Sequence, residues 1–183
     1  MILDRPVIIL VSRDRLHPPH VGLTDAQFVG DMTSSMSSSA NFICRRQFLI
    51  EWGHCDPAGI VFNSRYFEFF DGNTWIMFER ALGVKAHAWP QAYGVLGIPL
   101  VDAGARFLVP TRFGDVVEIA SQVTAFRRSS FDLAHTITLG GKTAVEGHET
   151  RVWVGRDPND PDKIKSQPIP PDVPEKFAAA AQV

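Results

Sequence analysis

The residues best placed to do chemistry lie in one short segment, Glu51-Trp52-Gly53-His54-Cys55-Asp56-Pro57-Ala58-Gly59-Ile60-Val61-Phe62-Asn63-Ser64-Arg65-Tyr66. It sets a carboxylate, Asp56, in a glycine-bearing loop seven residues ahead of Asn63, where a helical pattern begins. A carboxylate is ionised at neutral pH, so it can attack an electrophilic carbonyl without a separate activating base, or take a proton from water. A helix N-terminus supplies the complementary part: its first amides lack intrahelical acceptors, and the helix dipole adds positive character there. Gly59 allows a sharp turn and lets a ligand lie close to backbone, where a side chain would obstruct it. The same residues also have a plain structural reading, with Asp56-Pro57 starting a turn and Asn63 capping the helix.

Other candidates surround this segment. His54 can orient a water or a carboxylate, or simply pack as an imidazole, since alternate residues of an extended strand share a face. Cys55 lacks any partner pattern for a cysteine nucleophile. Asp71 lies on the helix among Phe67, Phe70 and Trp75 and is costly to bury alone; exposed, it would pair with Arg80 or Lys85. Phe62, Phe67, Phe70, Trp75 and Trp89 can wall an aryl pocket or form ordinary core. Arg127-Arg128-Ser129 offers two cations at a turn, where exposed basic pairs are commonly just solvated. His135, at an apolar-parity position, reads as a core histidine, and His148 with Glu146 and Glu149 lacks metal-ligand spacing.

The elements that must position these residues follow from periodicity. Phe42, Cys44, Phe48, Ile50 and Trp52 share one parity against Arg45, Gln47 and Glu51, which predicts a strand over 42–52. Tyr66, Phe67, Phe70, Thr74, Met77, Phe78 and Ala81 recur at helical spacing, predicting one long helix over 63–81 closed by Gly83. Alternation returns over 101–109, 117–125 and 131–139, and Gly140-Gly141 leads into a strand over 142–154. Residues 163–167 can add a short strand, and Asp172 with Glu175 suggests a capping box for a terminal helix. One helix covers one sheet face, so the other is either solvated or covered by a partner chain, and the uniform apolar alternation favours a partner.

Composition narrows the function classes. The 183 residues carry 18 Lys+Arg and 20 Asp+Glu, a net charge of -2 that argues against a nucleic-acid or anionic-membrane surface. A 45% hydrophobic content with 13 Phe and 4 Trp is that of one folded domain. Two cysteines make no disulfide framework and fit a reducing cytoplasm. The apolar run Val7 to Val11 is too short for a signal or a span. Residues 1–40, with Pro6, Pro18, Pro19 and a serine run before Ala40, read as an N-terminal extension; residues 41–183 read as the core domain.

Asp56-Pro57-Ala58-Gly59-Ile60-Val61, followed by Phe62, Asn63 and Tyr66, resembles the 4-hydroxybenzoyl-CoA thioesterase family of hotdog-fold proteins, whose segment reads Asp-x-x-Gly-x-Val with a Tyr shortly after. The likeness continues through the long helix, the later strands and the basic turn before Phe131, over about residues 42–178. It implies an α+β hotdog fold, a curved antiparallel sheet wrapped around one long central helix. It also implies an acyl-CoA thioesterase, with Asp56 as nucleophile through a mixed anhydride or as general base, and the Asn63 amide as oxyanion donor. Asp71, Phe62, Tyr66 and His54 would then meet the acyl group, and an aspartate at the position of Asp71 points to an aromatic acyl group with a polar substituent. Arg127 and Arg128 would meet the CoA phosphates, with Ser129 where relatives carry a third basic residue. The resemblance further implies a homo-oligomer, dimer or tetramer, with interface active sites, and CoA as part of the substrate with no separate cofactor or metal. A hydratase of this fold needs a histidine five residues after the aspartate, where Val61 stands. A non-catalytic binder of acyl-CoA or acyl carrier protein is the remaining alternative.

Overall fold

A computed structural model describes residues 42–182; the extension expected over residues 1–40 lies outside the described residues. The order is β1 (Ile43–Leu49), α1 (Asn63–Leu82), α2 (Trp89–Tyr93), β2 (Leu100–Phe107), β3 (Val116–Phe126), β4 (Ser130–Leu139), β5 (Lys142–Val152), β6 (Val154–Asp157), β7 (Asp160–Ser166) and α3 (Asp172–Ala180). Five strands form one antiparallel sheet in the order β1-β3-β4-β5-β2, and β6 pairs with β7 in a separate hairpin.

The sheet is built from the alternation in its strands. Val117, Ile119, Ser121 and Val123 of β3, and Phe131, Leu133, His135 and Ile137 of β4, are buried, while their neighbours are not. The register pairs Ile119 with Ile137 and Ser121 with His135, so the buried sets coincide on one face. The opposite face carries Arg45, Gln47, Glu118, Gln122, Thr136 and Thr138, with the exposed Ile43 and Leu49 beside them.

Helix α1 lies on the buried face. It turns Tyr66, Phe69, Phe70, Met77, Phe78, Ala81 and Leu82 inward at a 3.6-residue period, and Gly83 ends it at φ 67. Full burial of each large apolar side chain contributes roughly 1.5–3 kcal/mol. Close seating requires Gly147: a Cβ there would stand 2.4 Å from Phe70 Cε2. Phe70 instead stacks on His135, 4.6 Å between centroids. Phe70 and Tyr66 belong to one apolar cluster near the start of α1; Phe78, Trp89, Phe131, Trp153 and Phe177 form another around its later turns.

Three expectations change. The first strand ends at Leu49, and Trp52–His54 forms a 3₁₀ turn instead. Ile50 N–H donates to the Asp115 carbonyl, and Glu51 and His54 cap each other reciprocally, which bends the chain and leaves Trp52 exposed. At α3, Asp172 is the first helical residue and Pro171 holds the cap position without a side-chain bond. Asp172 instead accepts from Lys176 Nζ (2.9 Å), which also donates to the Tyr93 hydroxyl (2.7 Å) and ties α3 to α2. The expected strand over 142–154 is broken at Trp153, whose N–H leaves the sheet for the Ser129 carbonyl (2.8 Å).

Candidate active site

The loop before α1 closes on itself. Cys55 and Val61 pair as an antiparallel bridge, Asp56 N–H donates to the Ile60 carbonyl (2.9 Å), and Gly59 N–H donates to the Asp56 carbonyl (2.9 Å). Gly59 makes the turn at φ 74, a backbone conformation that a side chain strains. The Asp56 carboxylate is half-buried; its Oδ1 accepts the Ala58 N–H at 2.8 Å. Its Oδ2 has no partner among the described residues.

The loop delivers the chain into α1 with Phe62, not Asn63, at the N-cap. Phe62 is half-exposed and cannot cap with its side chain, and the first turn holds no acidic residue. The amides of Asn63 and Ser64 have no acceptor among the described residues, so the positive end of α1 stands open where the Asp56 loop ends. Asn63 contributes through its backbone rather than as a side-chain cap.

Thr111 anchors this arrangement, and sequence reasoning missed it. It lies in the connection from β2 to β3, fully buried, with its carbonyl on the Val61 N–H (2.9 Å) and its Oγ1 2.8 Å from the Tyr66 hydroxyl. A threonine after Pro110 carries no local signal of this role. Tyr66 is buried, and burial pushes its phenol pKa up against the opposing Thr111 hydrogen bond. Its hydroxyl therefore braces the helix against the loop. His54 is likewise tied down: its Nδ1 accepts the Glu51 N–H (3.0 Å), which puts the neutral ring's proton on Nε2, and its ring meets Phe69 edge-on.

Asp71 is two turns further along α1 and half-exposed. Its partner is neither Arg80 nor Lys85; Lys85 binds Glu79, Arg80 donates to the Arg45 carbonyl, and Asp71 Oδ1 accepts from Arg151 Nη2 at 2.7 Å. Arg151 is buried and also donates through Nε to Glu149 (2.7 Å). Burial pulls the Arg151 pKa down, and its bonds to Glu149 and Asp71 outweigh that and hold it above its usual value. Of the expected aromatic wall, Phe70 and Trp89 are core, while Phe67 and Trp75 are partly exposed.

The basic turn lies elsewhere. Arg127 makes a bidentate pair with Asp132, whose carboxyl it holds below the usual range. Arg128 is exposed, and its side chain has no partner among the described residues; its carbonyl accepts the Ile169 N–H (2.7 Å). Ser129 is half-buried beneath the Trp153 contact. Phe131, just after this turn, packs on Phe78 (4.8 Å), fifteen residues beyond Asn63. At 1.5 Å per helical residue, that sets the basic turn roughly 20 Å along α1 from the Asp56 loop.

A curved antiparallel sheet on one long helix, with a carboxylate loop at the open helix N-terminus, defines a hotdog-fold enzyme. The chain belongs to the thioesterase-like superfamily, whose family model matches residues 50–177. It is a thioester hydrolase. It is 31% identical over 131 residues to a 4-hydroxybenzoyl-CoA thioesterase from Pseudomonas sp. (strain CBS-3), covering 67% of this chain and 89% of that one. Its fold matches a mutant 4-hydroxybenzoyl-CoA thioesterase complexed with 4-hydroxybenzoyl-CoA at TM-score 0.68 and 25% identity, over 74% of this chain and 98% of that one. A gentisyl-coenzyme A thioesterase matches at TM-score 0.61 and 30% identity, over 71% and 98%.

Proposed function

We propose that the domain over residues 41–183 hydrolyses the thioester of an aromatic acyl-CoA to the free acid and CoA. The observation that carries this reading is the Asp56 carboxylate, tethered by Oδ1 to Ala58, in the closed loop that leads directly into the start of α1, where the Asn63 amide has no acceptor among the described residues. As a nucleophile, Oδ2 adds to the thioester carbonyl carbon, and the C–S electron pair leaves with CoA; water then cleaves the mixed anhydride, releasing the acid and restoring Asp56. As a general base, Asp56 takes a proton from the water that attacks. On either route negative charge develops on the carbonyl oxygen, where a preorganised backbone N–H is worth most.

An aromatic acyl group fits Phe62 and the partly exposed Phe67 and Trp75, with Asp71 toward the far end. The matched thioesterases, named for 4-hydroxybenzoyl-CoA and gentisyl-CoA, favour the same class. Arg128, exposed and without a side-chain partner among the described residues, is a cation available for a CoA phosphate. Its distance from Asp56 along α1 favours a site shared between two copies. The edge strand β2 supports that arrangement: Leu100, Val101 and Phe107 are exposed there, and an unpaired apolar edge invites a second chain.

The test is thiol release from 4-hydroxybenzoyl-, benzoyl-, phenylacetyl-, acetyl- and palmitoyl-CoA by wild type and Asp56→Asn. Release that falls by roughly a thousandfold or more in the variant supports the reading, and the best ester defines the acyl class. CoA binding without hydrolysis of any ester would replace it with a binding module.

A further inference from the structure

The segment that carries Asp56 is one strand of a short three-stranded ladder. Cys55 and Val61 form an antiparallel bridge, which sets Asp56 opposite Ile60, and Ile60 bridges in turn to Arg112. Residues opposite each other in an antiparallel ladder put their side chains on the same face, so Asp56, Ile60 and Arg112 stand in one row. Burial agrees with the two faces: Val61 and Thr111 are buried and Cys55 packs against the core, while Asp56 and Ile60 are half-buried and Arg112 is exposed. Adjacent strands lie about 4.8 Å apart, which sets the Asp56 and Arg112 backbones about 10 Å from each other with one aliphatic side chain between.

The root of Arg112 is fixed and its head is free. Its N–H donates to Asp115 Oδ2 (2.7 Å) and its carbonyl accepts the Asp115 N–H (3.1 Å). The same turn is tied to Ile50 through the Gly114 N–H (2.9 Å) and the Asp115 carbonyl (2.8 Å). Asp115 Oδ2 therefore holds backbone, not the guanidinium. Arg45, Arg65, Arg106, Arg127 and Arg151 are each bound to a carboxylate, whereas the Arg112 side chain has no partner among the described residues. A free guanidinium offers donors in a planar fork that fits a carboxylate or a phosphate. The phosphates of CoA lie beyond its reach when a thioester meets Asp56, since about a dozen bonds of extended pantetheine put the nearest one roughly 14 Å from the sulfur. What hydrolysis leaves within reach is the acid.

Hydrolysis by either route ends with two carboxylates in one place, the restored Asp56 and the ionised acid; of the two protons of the water, one ends on the CoA thiol and the other goes to solvent. The two anions repel each other, and the cation in the Asp56 row is Arg112. We infer that Arg112 forms a carboxylate subsite, which receives the free acid across Ile60 as it separates from Asp56. This rests on the reading of Asp56 as the catalytic carboxylate. The subsite is exposed, so its contribution is modest and sensitive to salt: a forked charge pair of this kind contributes about three- to tenfold in affinity and weakens as ionic strength rises.

The experiment measures inhibition of thiol release by the free acid of the ester cleaved best and by the matching primary amide, which for the 4-hydroxybenzoyl ester are 4-hydroxybenzoate and 4-hydroxybenzamide. Arg112→Gln should raise Ki for the acid about three- to tenfold and leave Ki for the amide unmoved. Arg112→Lys, which keeps a cation, should recover part of the loss, and the difference between acid and amide should shrink as salt is raised. A residue that only shapes the loop would move acid and amide together. An acid that fails to inhibit wild type, an acid Ki unmoved in Arg112→Gln, or acid and amide rising together overturns the inference. A rise in Ki for CoA with none for the acid overturns it too, and gives Arg112 to phosphate instead. Titration calorimetry on Asp56→Asn should show the acid bound more tightly than by wild type, since the like charge is gone; unchanged binding there removes the subsite from the side of Asp56. Thiol release that survives Asp56→Asn overturns the reading of Asp56 and this inference with it, whereas an unmoved acid Ki beside an inactive Asp56→Asn overturns this inference alone.

Discussion

The hydroxyl of Tyr66 lies 2.8 Å from Oγ1 of Thr111, and the carbonyl of the same threonine holds the Val61 N–H at 2.9 Å. One buried residue from the β2–β3 connection thus fastens the first turn of α1 to the far side of the Asp56 loop. The relative placement of Asp56 and the Asn63 amide depends on that fastening.

Thr111→Val should therefore damage catalysis more than folding. It strands the buried Tyr66 hydroxyl at a cost of about 1–3 kcal/mol. Adding Tyr66→Phe removes the stranded group, so the double variant should be more stable than the sum of the singles implies. Urea unfolding beside thiol-release kinetics checks both parts, and strict additivity would argue against the pair.

The oxyanion assignment can be tested by deleting an N–H. Proline is tolerated at the first position of a helix, and Phe62, at φ -63 and ψ 131, has the conformation that a residue before proline prefers. Asn63→Pro should fold and lose about a hundred- to thousandfold in kcat, whereas Asn63→Ala, which keeps the amide, should lose far less. Equal losses would remove the amide from the mechanism.

The basic turn divides into two unequal arginines. Arg127 is committed to Asp132, while the Arg128 side chain has no partner among the described residues. Arg128→Ala should raise KM for acyl-CoA more than Arg127→Ala does, and the difference should shrink as salt is raised. Kinetics at two ionic strengths, with an acyl-pantetheine lacking the nucleotide as control, would show whether phosphate is what Arg128 meets.

Acid should weaken the fold through Glu149. Burial pushes its carboxyl pKa up, but hydrogen bonds and charge from His135 and Arg151 outweigh that and leave it below its ordinary value of 4.5. A lowered folded-state pKa means that Glu149 contributes stability above about pH 4.5, and that this contribution is lost as pH falls through the folded value. Glu149→Gln should cost up to about 3 kcal/mol at pH 7, by leaving the buried Arg151 with only the half-exposed Asp71 as a charged partner, and should flatten the acid limb of stability. Urea titrations from pH 7 to 3 on both proteins would measure the two slopes.

Much of the architecture was readable in advance because it rests on local periodicity. Alternation in β3 to β5 and the helical spacing from Tyr66 to Ala81 place these elements within a few residues of where the structure has them. The Trp52–His54 turn was missed, since Trp52 continued the apparent parity and the reciprocal Glu51–His54 cap competes with strand only once Asp115 binds Ile50. The α3 capping box failed for a related reason: Lys176 reaches both Tyr93 and Asp172, a contact between elements far apart in the chain.

The Asp56 loop, its glycine turn and a helix start near Asn63 were legible locally, because these depend on residues within about ten positions of each other; that Phe62 and not Asn63 holds the cap was not. The tertiary structure alone decided that Thr111 anchors the loop and that Asp71 answers to Arg151, eighty residues away. Strand register sets those pairings. No local propensity encodes which side chains from β5 and the β2–β3 connection arrive opposite one face of a helix.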